Sequence, residues 1–122
     1  MAPRPHVSRT NPDPPMKSAA FLLLVSLAAG DRHGYALRKE VAERSGGSVR
    51  LGPASLYRAI DTLVQSGFIE ESGRRPVKEL DDERRRYYRL TERGRQALRA
   101  ETRRLETLAA AARAVLPARA RP

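Results

Sequence analysis

"LGPASLYRAIDTLVQSGFIEE", Leu51 to Glu71, changes its period partway along. Pro53 stands where a first helical turn tolerates proline, and Leu56, Ala59, Ile60, Leu63 and Val64 fall on one stripe of a helical wheel. Gly67 is placed as the left-handed cap that stops the helix, and "FIEES" after it, Phe68 to Ser72, has strand-forming residues. On the same wheel Arg58, Gln65, Asp61 and Ala54 face away from the stripe, Ser55 and Thr62 lie on one shoulder and Tyr57 on the other. The stretch therefore predicts a helix, a glycine stop and a strand, with polar and aromatic side chains held off the buried face.

Upstream, "HGYALRKEVAERSGG" places Tyr35, Leu37, Val41 and Ala42 near helical spacing, and Gly46 and Gly47 end the run. This predicts a second helix from His33 or Gly34 to Ser45. Before it, "AAFLLLVSLAAG", Ala19 to Gly30, follows Arg4, Arg9 and Lys17 and has the outline of a secretory signal peptide. It is too short to span a bilayer, which takes about 20 apolar residues. Its removal would also strip the rest of the chain of its most hydrophobic helix. A short helix that is apolar nearly all round is expected to be buried in a small domain or a subunit interface. Residues 1–15 carry five prolines and almost nothing apolar, so they are expected to be a disordered tail, with Met16 as an alternative natural start.

Downstream, "FIEES" and "RRRYYRL" are two strand-like runs separated by "GRRPVKELDDE", which predicts a two-stranded hairpin with a long polar loop. Alternation puts Arg86, Tyr88 and Leu90 on one face and Arg85, Tyr87 and Arg89 on the other, with Tyr88 and Leu90 buried and Tyr87 exposed. Thr91 fits a helix N-cap, although Gly94 stands where a capping box wants Glu or Gln. The helix that follows, from about Glu92 to Leu116, is longer than this core requires. Leu98, Leu105 and Ala112 with Leu108 and Val115 form a near-heptad seam, interrupted by Glu101. A second copy of the chain is the simplest partner for that seam, with Phe21 and Leu22 of the first helix joining the dimerisation set. Pro117 ends the helix, and 117–122 should fray.

Assembled, the order is buried helix, helix, turn, helix, two-stranded ribbon, long helix. The expected fold is mainly α with a small two-stranded β wing: a winged helix-turn-helix over 16–90 and a dimerisation helix over 91–116. At 122 residues the chain is one domain's worth, and 24 Lys and Arg against 14 Asp and Glu give a net charge of +10. A polyanionic partner follows from that charge, with nucleic acid and membrane surface both open on charge alone. Cysteine is absent, which removes disulfides and thiolate metal sites and fits a cytoplasmic setting. The second helix of the pair can enter a major groove about 12 Å wide, so the face from Ser55 to Thr62 is the candidate reading surface. Ser55, Tyr57 and Arg58, near the helix N-terminus, are the residues expected to reach bases. Arg58 suits either guanine or a phosphate, and phosphate is the commoner destination.

From about Ser18 to Leu116 the chain resembles the PadR family of bacterial transcriptional regulators. The resemblance rests on "HGYALRKEV", "LGPASLYRAIDTLVQSGFIE" and "RRRYYRLTERGRQAL" taken together. It implies roles in DNA binding for Tyr35 on the helix before the turn, for Tyr57 and Arg58 on the recognition helix, and for Arg84, Arg85, Arg86 and Tyr87 on the wing. It also implies a homodimer on a roughly palindromic operator, usually repressing, with no cofactor, no metal and no enzymatic step. The single C-terminal helix looks like the subfamily with small dimerisation regions. Some relatives bind planar aromatic effectors with a tryptophan of the last helix. This chain has no tryptophan, so an effector would need contacts such as Phe21, Leu105 or Leu108.

Other residues read more plainly. Asp81, Asp82 and Glu83 are expected to be a solvated turn rather than a metal site. His33 reads as a helix N-terminal or surface histidine. "SGGS" from Ser45 lacks the lysine of a phosphate loop and reads as a helix stop. Two other classes of function stand beside the repressor: a winged-helix protein-interaction module without sequence-specific DNA binding, and a secreted basic protein, which depends wholly on cleavage near Gly30.

Overall fold

In a computed structural model of the chain, the residues described are 15–73 and 86–117. The expectations placed on 1–14, on Asp81, Asp82 and Glu83, on Arg84 and Arg85, and on 118–122 lie outside them. The elements are α1 (Ser18–Ala28), β1 (Arg32–His33), α2 (Gly34–Arg44), α3 (Pro53–Gln65), β2 (Ile69–Glu71), β3 (Tyr87–Leu90) and α4 (Glu92–Val115). Helix pair, wing and long last helix form the winged helix-turn-helix that the sequence predicts.

One core joins the elements. Leu23, Leu24 and Leu27 of α1 meet Leu37 and Val41 of α2, Leu56, Ile60 and Leu63 of α3, and Ile69, Tyr88 and Leu90 of the sheet. Burying each leucine stabilises the fold by about 1.5–3 kcal/mol. Cleavage near Gly30 would remove three of them, a loss comparable with the whole stability of a small domain, about 5–15 kcal/mol. Among the described residues, no helix is long and apolar enough to cross a membrane.

The sheet is three-stranded and antiparallel, in the order β1-β3-β2, rather than the expected two-stranded ribbon. Its added strand is β1, with Arg32 opposite Tyr88 and His33 opposite Tyr87. Two residues are too few to show alternation, so this pairing left no periodic signal. Tyr88 and Leu90 are buried as expected, while Tyr87 is half-buried rather than exposed.

The turn after α3 follows its sequence closely. Gly67 has φ of +81°, and the Phe68 N–H donates to the Leu63 carbonyl at 3.0 Å, as in a left-handed helix cap. Thr91 caps α4: its hydroxyl oxygen accepts from the Gly94 N–H at 3.0 Å and donates to the Gly67 carbonyl at 2.6 Å. The missing half of the capping box has a steric cause. A Cβ on Gly94 would lie 2.0 Å from the Phe68 carbonyl oxygen and 2.8 Å from Leu90, so no side chain fits there.

Candidate nucleic-acid interface

Helix α3 is anchored from one side only. Leu56, Ile60 and Leu63 point into the core, and Ser55, Arg58, Asp61, Thr62 and Gln65 are exposed on the opposite side. Gly52 and Pro53 open the helix without a side-chain cap, which leaves its first turn free of competing groups. The Thr62 hydroxyl donates to the Arg58 carbonyl at 3.1 Å, so its proton is held within the helix while its oxygen can still accept.

Tyr57 is half-buried and packs against the start of α2. A Cβ added at Gly34 would come within 2.9 Å of the Tyr57 hydroxyl oxygen and 3.0 Å of its ring. Glycine at 34 thus lets α3 and α2 approach through that ring. Tyr35, the next residue, is 61% exposed on the first turn of α2. His33 stands between the two candidate tyrosines outside α3: its ring centroid is 6.4 Å from that of Tyr35 and 5.4 Å from that of Tyr87.

On the wing, Arg86 lies 3.5 Å from the Glu71 carboxylate and Arg89 bonds Glu70 at 2.8 Å. Both pairs are partly exposed cross-strand contacts, so exchanging a carboxylate for a phosphate there costs little. Behind them, burial together with the nearby Glu71 carboxylate pushes the Tyr88 phenol above its ordinary pKa and keeps it neutral.

A groove of net positive charge, not expected from the sequence, lies beside Tyr35. Arg38, Lys39 and Arg50, with Tyr35, Glu43 and Leu51, line an open cleft of about 590 Å³ along α2, in which Lys39 lies 4.0 Å from the Glu43 carboxylate. Arg38 is held in place by donating from Nε to the Leu51 carbonyl at 2.7 Å. Its signal was present in "YALRK", because Tyr35, Arg38 and Lys39 share a helical face. Arg50 joins them only through the fold.

Of the residues expected at a dimer contact, Leu22 and Leu98 are partly buried against the chain's own core. Phe21 and Leu105 border a cavity of about 250 Å³ between α1 and α4, while Leu108, Ala112 and Val115 are exposed.

Residues 23–100 match the family described as the transcriptional regulator PadR-like family. A Streptomyces fradiae protein, described as an uncharacterized 37.1 kDa protein in transposon TN4556, is 39% identical over 83 residues. That match takes in 68% of this chain and only 21% of the relative. Among solved structures, a PadR family transcription regulator from Clostridium difficile R20291 has a TM-score of 0.68 at 23% identity, covering 83% of this chain and 100% of that one. Bacillus subtilis PadR in complex with operator DNA has a TM-score of 0.58 at 26% identity, covering 70% of this chain and 47% of that one.

Proposed function

This chain belongs to the PadR-like family of transcriptional regulators, and from that premise we propose that it is a DNA-binding repressor acting as a homodimer on a palindromic operator. The observation that carries the reading is the outer face of α3: Ser55, Arg58 and Thr62 are exposed on a helix whose other side is fixed in the core. In this reading 16–90 form the DNA-binding domain, α3 enters the major groove, and Tyr35, Tyr57, Tyr87 and Arg84 to Arg86 hold the backbone or groove walls. The operator complex of the Bacillus subtilis relative supports the same use of the shared fold.

The dimer reading rests on α4. Leu105, Leu108, Val115 and Leu116 are 38%, 53%, 80% and 64% exposed, an apolar row that a second copy would cover. Two copies must then hold their α3 helices about 34–36 Å apart to reach successive major grooves on one side of the DNA. Of the contacts that a small-molecule effector would need, Phe21 and Leu105 border one cavity and Leu108 lies outside its lining.

Fluorescence anisotropy with DNA from upstream of the protein's own gene and with a scrambled duplex, at two salt concentrations, tests the reading. Sequence-dependent binding is expected, with a log-log salt slope of about 0.9 for each phosphate neutralised. Arg58→Ala should cost about 1–3 kcal/mol and relax specificity at one position per half-site if it reads guanine. Weak binding without sequence preference, by a stable dimer, would favour a protein-interaction module instead.

A further inference from the structure

His33 does two jobs whose chemical demands differ. Its Nδ1 accepts from the Ala36 N–H at 3.1 Å, capping α2. Its ring meets Tyr87 of β3 edge-on at 86° and lies beside Tyr35 of α2 at 21°. Its backbone is also in the sheet, opposite Tyr87. The cap alone would be served by Ser, Asp or Asn, the usual N-cap residues, and none of these would offer a ring to Tyr87. Neutral histidine meets both demands, because one ring nitrogen carries a free lone pair. The residue after it is Gly34, on which Tyr57 of the recognition helix lies.

We propose that His33 is a positioning residue that sets the wing against the helix pair, acting through its ring on Tyr87 and Tyr35 rather than by touching DNA. The proposal deepens the DNA-binding reading above and rests on it. Wing and recognition helix must meet one duplex together, so a wing free to swing at its base loses affinity for the specific site.

Two variants of the full chain separate the roles. His33→Asn keeps a capping oxygen and removes the ring; His33→Phe keeps a ring and removes the cap. Each is compared with the wild type in thermal melting and in anisotropy on the upstream and scrambled duplexes. The Asn variant should melt with the wild type yet bind the upstream duplex about tenfold more weakly, the scale of one aromatic pair, with its salt slope unchanged. The Phe variant should melt lower yet bind as the wild type does below its transition. Affinity that follows melting in both variants, or wild-type affinity in the Asn variant, overturns the proposal. A reduced salt slope in the Asn variant also overturns it, because that marks a phosphate contact. If the wild type prefers neither duplex, the functional reading fails, and amide hydrogen exchange at Tyr87 to Leu90 decides this one. Exchange faster in the Asn variant than in the Phe variant supports it, and equal rates overturn it.

Discussion

From Glu92 to Glu101, α4 lies on its own chain. Thr91 caps it, Gly94 presses on the Phe68 carbonyl, Leu98 packs against the core and Glu101 is only 6% exposed. From Leu105 to Val115 the same helix carries leucine and valine into solvent, and every residue of that half is exposed. Charge separates the halves, since Glu92 to Glu101 carries three arginines and two glutamates whereas Leu105 to Val115 carries only Glu106 and Arg113 and is rich in alanine and leucine, both strong helix formers. The second half is helical by propensity and by continuation of the first, and runs about 15 Å past the domain at 1.5 Å per residue. The apolar row on a helix that outlasts its own core is the surface on which the proposed dimer rests. The contrast locates the boundary between what folds the monomer and what is proposed to pair it.

Substitutions on either side of that boundary should therefore fail in different assays. The largest effect is expected at Gly94→Ala. Its Cβ would overlap backbone rather than the end of a flexible side chain, so α4 must shift away from β2 and β3. A loss of about 3 kcal/mol, seen as a fall of roughly 10 °C or more in Tm, is the expected result. Wild-type melting would mean that the first half is not tied to Phe68, and the contrast would collapse. Leu108→Glu comes next and should leave monomer melting nearly unchanged. Placing a charge in the proposed interface should weaken the dimer by about 2 kcal/mol, roughly 30-fold in dissociation constant by sedimentation equilibrium. An undisturbed dimer would place the interface elsewhere.

Much of this was legible because its causes are local. The stripe of α3, its stop at Gly67 and the Thr91 cap each depend on residues within a turn or two of one another, and the outer face with Ser55, Arg58 and Thr62 follows from the same wheel. Strand β1 was not legible, because Arg32 and His33 become a strand only when β3, more than fifty residues later, supplies the partner. Gly94 looked like a defect in a capping box until the Phe68 carbonyl showed what occupies the space. The basic groove was half legible, since Arg38 and Lys39 follow Tyr35 at helical spacing but Arg50 arrives through the turn. Glu101 read as an interruption of the apolar seam, because sequence position says nothing of the chain's own Met16 N–H, which donates to its carboxylate at 3.3 Å.

Glu101 sits where the two halves meet, and its titration sharpens the boundary with the smallest of the three effects. The Arg104 guanidinium, bonded to both of its oxygens, holds its carboxyl below the ordinary carboxylate range, against the opposing pull of burial and with help from the Met16 N–H. A group whose pKa is lower folded than unfolded adds stability above the unfolded value, about 4.3 for Glu, and loses it as pH falls through the folded value. The wild type should therefore melt above Glu101→Gln at pH 7, and the gap should close in acid below about pH 4. It should be smaller than the Gly94 effect, because Arg104 is 34% exposed and water screens the pair. A gap that does not change with pH would mean that the charge contributes nothing. The partners seen at Glu101 belong to its own chain, so the gap should survive in a Leu108→Glu background. Its disappearance on dissociation would move Glu101 across the boundary, into the half that depends on a second copy.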